Sequence, residues 1–283
     1  MVDKLLALYG LKHHPFAQRI PVHALWSPPG TEAFFFRVEN VVLDGGFVLL
    51  SGEPGLGKSK ILHLMSERLN RLGGDVVVGV MEYPPSSMSD FYRELGDLFD
   101  VNLSPSNRYG GFKALRERWH EHIQATLFRP VLILDEAQEM ISRCLTELRL
   151  LGSARFDSDC ILTTVLCGDN QLPERFRCKQ LAPLGSRIRT RWALEPWDNK
   201  ALLSFVDHSL EAAGAPHLMT DELKITMVHH AAGNLRILCA MGDELLRAGA
   251  EQEVTRLDEK LYLEIYAQSG RSTERAQNRR AER

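Results

Sequence analysis

From Phe47 to Leu194 the chain alternates short strand-length runs with longer stretches in which apolar residues recur every three or four positions. The strand-length runs are Phe47–Ser51, Val76–Met81, Val131–Leu134, Cys160–Cys167 and Ile188–Leu194, of which Val131–Leu134 is apolar throughout. Successive strand residues point to opposite sides, so a run that is apolar throughout suits a strand covered on both faces. The periodic stretches are Lys58–Leu72 (Ile61, Leu62, Met65, Leu69 and Leu72 on one side), Ser89–Phe99, Phe112–Leu127 and Ile141–Leu151. That spacing marks one face of a helix. Gly73-Gly74 ends the first helix, Asp90 suits the first turn of the second, and Pro130 follows the third. Residues 101–110, rich in Ser, Asn, Pro and Gly, read as a loop. Strands alternating with helices predict an α/β fold, a parallel sheet sandwiched by helices.

After Pro196 the strand-like runs stop. Lys200–Ala213, Asp221–Ala232, Leu235–Ala248 and Leu257–Ala267 all have helical spacing, which predicts a second, all-helical domain. Ahead of the alternating region, Leu5, Leu6 and Leu8 are followed by Pro15, Pro21, Pro28 and Pro29, then by a helical stretch, Thr31–Val42, with Thr31 placed to cap it. Residues 268–283 are polar and carry Arg271, Arg275, Arg279, Arg280 and Arg283 against Glu274 and Glu282, so a disordered basic tail is expected. The expected organisation is a lead-in (1–46), a sheet core (47–196), a helical lid (197–267) and the tail (268–283).

Composition narrows this picture only a little. The chain has 283 residues, 44% hydrophobic and 25% charged, as globular proteins do. A net charge of −3 does not announce a nucleic-acid partner, although a local basic face is compatible with it. Cys144, Cys160, Cys167, Cys178 and Cys239 are scattered, with no zinc or disulfide spacing, which points to a reducing compartment. No apolar run approaches the roughly 20 residues that span a bilayer. A soluble cytoplasmic protein with no membrane partner is the expectation.

The chemistry begins at Gly52-Glu53-Pro54-Gly55-Leu56-Gly57-Lys58-Ser59, which fits G-x-x-x-x-G-K-S and lies between a predicted strand and a predicted helix. Phosphates need many donors at close range, and glycines let backbone N–H groups turn inward. The helix that follows presents its positive end. Lys58 would reach the β and γ oxygens of ATP, and the Ser59 hydroxyl would ligate Mg2+.

Val131–Leu134 then delivers Asp135 and Glu136 to a strand end, where ligands sit in doubly wound sheets. Asp135 would hold Mg2+ through water, and Glu136 would act as general base on the attacking water. A carboxylate beside the metal ligand points to hydrolysis rather than transfer to a small molecule. A third strand ends in Gly168-Asp169-Asn170. Asp169 or Asn170 would meet the γ-phosphate or the lytic water, Asp169 being preferred; the alternative is a turn-forming pair before Pro173. Arg187, Arg189 and Arg191 alternate at a strand start, and Arg187 is the candidate finger for a neighbouring subunit's γ-phosphate. In the helical region Gly233-Asn234-Leu235-Arg236 places Arg236 one turn into a helix, where it would meet phosphate if the lid folds over.

In this order these elements resemble the AAA+ ATPases, from about Tyr9 to Ala267. The resemblance narrows to the ExeA/GspA-like branch through Tyr9-Gly10-Leu11, Pro15-Phe16, Asp135-Glu136-Ala137-Gln138, Leu145…Glu147-Leu148-Arg149-Leu150-Leu151 and Gly233-Asn234-Leu235-Arg236. That branch implies either a secretion-pathway ATPase anchored in the inner membrane or a soluble ATPase working beside a transposase. The second is similar to the TniB, TnsC and IstB regulators, which assemble on DNA as rings or filaments. With no membrane span in the chain, the expectation is the transposition type: self-association on duplex DNA in the ATP state, target presentation to a transposase, and disassembly on hydrolysis. Arg108, Lys113, Arg116 and Arg118 are the candidate DNA grips. The alternatives are a secretion or envelope-assembly ATPase and a helicase loader. The sequence departs from the branch at Cys167-Gly168-Asp169-Asn170, where Val-Gly-Gln is usual.

Overall fold

The computed structural model describes residues 2–72, 75–103, 107–156 and 158–266. The basic tail, Gly73-Gly74 and part of the 101–110 loop lie outside the described residues. The chain divides into two compact units. One spans Pro29–Glu195, and the other joins the residues up to Pro28 with those from Pro196 onward.

The first unit opens with α2 (Thr31–Asp44), preceded in the chain by α1 (Val2–Tyr9) of the other unit. Then follow β1 (Gly46–Gly52), α3 (Lys58–Asn70), β2 (Val78–Met81), α4 (Met88–Leu98), α5 (Arg108–Thr126) and β3 (Val131–Leu134). Next come α6 (Ser142–Gly152), β4 (Ser153–Ala154), β5 (Asp159–Cys160), β6 (Thr163–Gly168), α7 (Gln171–Arg175), α8 (Ala182–Gly185) and β7 (Ile188–Leu194). Five strands form one parallel sheet in the order β2-β3-β6-β1-β7. Every residue of β1, β3 and β6 is buried, including the polar Ser51, Thr163 and Thr164, and β3 is apolar throughout. The edge strand β7 instead alternates, exposing Arg189 and Arg191.

Helices close both faces of the sheet. Phe91, Leu95, Leu115, Trp119, Leu145 and Leu148 from α4, α5 and α6 pack against Leu132, Leu134 and Leu166. Trp119 meets Phe99 edge-on at 5.3 Å. Side-chain caps start two of these helices: Ser87 Oγ accepts from Asp90 N at 3.1 Å, and Asn107 Oδ1 from Gly110 N at 2.9 Å; α2 instead starts from Gly30, and Thr31, expected to cap it, is buried as its first residue. Glu147 of α6 is 2% exposed. It accepts from Tyr92 Oη at 2.6 Å and from Arg108 Nε and Nη2 at 2.8 and 2.5 Å, tying α4, α5 and α6 together.

The run Cys160–Cys167 is not one strand. Asp159–Cys160 pairs antiparallel with Ser153–Ala154, and the sheet strand starts at Thr163. Arg155 and Phe156 make the intervening turn in the left-handed region, with φ of 47° and 57°. Neither is glycine, so hydropathy alone does not announce the turn.

The second unit holds α1, α9 (Asn199–Ala213), α10 (Asp221–Ala231), α11 (Leu235–Glu251) and a helical segment over 259–266. Leu5, Leu11 and Phe16 share a buried cluster with Leu202, Leu223, Leu238 and Leu245. Gly242 lets Phe16 lie against α11; a Cβ there would sit 2.5 Å from the ring. Residues 1–46 are therefore divided between units: the part up to Pro28 packs with the helices and α2 packs with the sheet.

Candidate phosphate cradle and hydrolytic site

β1, β6 and β3 lie side by side, and their carboxyl ends make a continuous rim. Leu50 pairs with Cys167, and Leu134 with Leu166, which puts Asp135 level with Cys167. At about 4.8 Å per parallel strand, the β3 end lies roughly 10 Å across the rim from β1.

At the β1 end, Gly55 and Gly57 adopt φ of 92° and 94°. Only glycine takes that conformation freely, and it turns backbone N–H groups into the loop. Lys58 begins α3, but its side chain folds back over the loop. Its ammonium donates to Gly52 O at 2.8 Å and Glu53 O at 3.1 Å, and the residue is 8% exposed. Among the described residues no carboxylate forms an ion pair with it. A buried ammonium held only by carbonyls, at a helix N-terminus and inside a glycine turn, is a fit for a polyanion. Gly52 is also fixed sterically, since a Cβ would meet Leu194 Cβ at 2.9 Å.

At the β3 end, Asp135 N still donates to Met81 O at 3.1 Å. Its carboxylate accepts from Glu136 N at 2.9 Å and contacts the buried Cys167 thiol, whose pKa is pushed up by burial and then by Asp135. Glu136 is exposed and left-handed, at φ 48° and ψ 38°. For a non-glycine residue that conformation costs about 1 kcal/mol or more, and it turns the side chain out at the rim. Ser59, the second residue of α3, is exposed. Among the described residues no group of three or more His, Cys, Asp or Glu side chains could hold a metal. A hydroxyl and one carboxylate suit Mg2+, which keeps water and phosphate ligands, better than a metal that needs a full protein cage.

Asp169 follows the last residue of β6, and its Oδ1 accepts from Gln171 N at 2.9 Å, where α7 begins, while Asn170 beside it is exposed. Arg187 follows α8, is partly exposed, and donates through Nη1 to Pro183 O. Arg189 pairs with Asp44 at 3.6 Å, and Arg191 donates to Gly185 O at 2.8 Å. Arg236 lies exposed in the first turn of α11, in the helical unit, where Asn234 Oδ1 accepts from its N–H at 2.9 Å. On α5, Arg108 is engaged by Glu147, and Arg116 donates to Leu151 O and Ser153 O at 2.6 Å each. Lys113 pairs loosely with Glu117 at 3.5 Å, and Arg118 is exposed.

One residue at the rim carried no role in the sequence reading. Gln138 Nε2 donates to Glu136 Oε2 at 2.5 Å, and Gln138 Oε1 accepts from Asp169 N at 3.2 Å. Its sequence signal is its place two residues after Glu136, in the run Asp135-Glu136-Ala137-Gln138.

The sheet order, the phosphate cradle and the carboxylate pair at a neighbouring strand end define an AAA-type P-loop ATPase. Residues 42–176 match the family model of the AAA domain. Over 245 residues the chain is 27% identical to general secretion pathway protein A of Aeromonas hydrophila, a match covering 85% of this chain and 44% of that protein. The chain thus spans less than half the length of this relative. Among solved structures the fold is similar to Cdc6p from Pyrobaculum aerophilum, with TM-score 0.65, 14% identity, and 86% and 67% of the two chains covered. It is also similar to the ORC1 protein of Aeropyrum pernix in complex with DNA, with TM-score 0.64, 15% identity, and 88% and 68% covered. Among the described residues no helix is long and apolar enough to cross a membrane.

Proposed function

We propose that the chain is the ATP-hydrolysing part of a GspA-like machine and drives an assembly step in secretion through the cell envelope. The observation that carries the hydrolytic half is the buried Lys58 ammonium beside Asp135 and Glu136 across one rim. Identity over 85% of the chain with a secretion-pathway protein supports the other half.

In this reading Gly52, Glu53, Pro54, Gly55, Leu56 and Gly57 wrap the phosphates with backbone N–H groups. Lys58 leaves the loop carbonyls for the β and γ oxygens. Ser59 and Asp135 hold Mg2+, which offsets phosphate charge when bound. Glu136 takes a proton from water as the water attacks the γ-phosphorus. The bond to the bridging oxygen breaks, leaving ADP and inorganic phosphate. Asp169 or Asn170 senses the γ-phosphate. Arg187 completes a neighbour's site in a self-assembled ring or filament.

A second reading is assembly on duplex DNA, beside a transposase or as a helicase loader. One observation favours it: Lys113 and Arg118 are exposed on α5 and, among the described residues, are not tied to buried partners, unlike Arg108 and Arg116. The secretion-pathway relative weighs for the first reading. ATPase rates measured with envelope vesicles and with duplex DNA separate the two. Stimulation by vesicles alone supports the secretion reading; stimulation by DNA alone, lost on raising salt, overturns it.

A further inference from the structure

We infer that Gln138 is a positioning residue that couples the γ-phosphate-sensing end of β6 to the general base Glu136. The inference rests on the proposed role of Glu136 and deepens it. The Gln138 side chain hydrogen-bonds both elements. Its amide nitrogen donates to Glu136 Oε2 at 2.5 Å, and its amide oxygen accepts from Asp169 N at 3.2 Å. A carboxamide offers a donor and an acceptor on one planar group, so it can tie a carboxylate to a backbone N–H.

The surroundings hold that amide in place. Gly168 makes room for it: a Cβ at that position would sit 2.4 Å from Gln138 Oε1. Arg175 of α7 donates to Gln138 O, to Met140 O at 2.8 Å and to Ser142 Oγ at 3.3 Å. The turn carrying Glu136 is therefore clasped from two sides to the segment that begins at Asp169. Glu136 itself is exposed and left-handed, and Gln138 Nε2 holds its Oε2. Its direction is set by Gln138. A displacement of the β6 end by a γ-phosphate pulls on Gln138 Oε1 and is passed through the rigid amide to the Glu136 carboxylate. Hydrolysis then depends on both ends of the bridge, while nucleotide binding depends on neither.

Two variants test this. Gln138→Leu removes donor and acceptor at similar volume. Gln138→Glu keeps an acceptor for Asp169 N–H but cannot donate to Glu136. The account expects kcat to fall by about 10-fold or more in both, because a misplacement near 1 Å can cost about 10²-fold. KM for ATP and the affinity for a fluorescent ATP analogue should change by less than about threefold, a split that loss of folding would not produce. Amide exchange at Asp169, followed by NMR in the nucleotide-free protein, should quicken in Gln138→Leu and stay near the parent in Gln138→Glu. If both variants keep kcat within about twofold while Glu136→Gln is inactive, the coupling is wrong and the general base stands. Unchanged Asp169 exchange in Gln138→Leu also overturns it. Parental activity in Glu136→Gln overturns the general-base reading itself.

Discussion

Replacing Arg108 by alanine separates a structural from a DNA-binding role. Glu147 is 2% exposed, and three donated hydrogen bonds satisfy it: one from Tyr92 and two from Arg108. Removing Arg108 leaves a buried carboxylate with Tyr92 alone. Breaking a fully buried pair from one side costs about 3–5 kcal/mol. The Arg108 side chain is 51% exposed, so water screens and partly replaces it. A loss of about 2 kcal/mol is the resulting expectation, which lowers the unfolding midpoint of a unit of this size by about 4–8 °C. Tyr92→Phe should lose about 1.5 kcal/mol by removing one hydrogen bond to a charged group. Urea unfolding followed by tryptophan fluorescence reads both, since Trp119 lies buried in the same core. An Arg108→Ala variant that loses less than about 0.5 kcal/mol but binds duplex DNA more weakly would refute this assignment.

Lys58→Ala should weaken ATP binding by about 10–100-fold, because one charge-assisted contact is worth roughly 1.5–3 kcal/mol; equilibrium titration with a fluorescent analogue checks it, and parental affinity removes the cradle reading. His14 in the helical unit accepts from Phe16 N through Nδ1 at 3.2 Å and faces Asp243 Oδ1 through Nε2 at 3.0 Å. Burial lowers its pKa, Arg247 adds to that, and Asp243 opposes both. A lowered imidazole pKa means the unfolded chain binds more protons in acid. The stabilisation is therefore present above the ordinary imidazole range and lost as pH falls through the folded value. Denaturant midpoints at about pH 7.5 and pH 5.5 should differ less in His14→Gln than in the parent; equal differences would sink this assignment.

The parts legible in the sequence are those where chemistry restricts each position. The cradle needs glycine at Gly55 and Gly57 because of their positive φ, and the buried strands need unbroken apolar runs such as Val131–Leu134. The β4–β5 hairpin was not legible, because Arg155 and Phe156 turn the chain without glycine, and so Asp159–Cys160 was not separable from the sheet strand that starts at Thr163. The packing of Phe16 against Gly242 spans the length of the chain, and no local pattern encodes it. Arg108 and Arg116 look like solvated cations by spacing, yet one pairs with a buried Glu147 and the other with carbonyls at the end of α6. Glu147 itself sits within an apolar helical stretch, where a carboxylate gives no local sign of the partners that make its burial tolerable. Which way an amide points depends on its neighbours in space, so Gln138 carried no role until β3 and β6 were seen side by side.

The central claim is that the rim formed by β1, β6 and β3 hydrolyses ATP through Glu136. Steady-state phosphate release from Glu136→Gln, with ATP binding measured on the same sample, tests it most directly. The account expects release to fall by about 10²-fold or more with ATP still bound. Release at the parent rate with binding unchanged would contradict it.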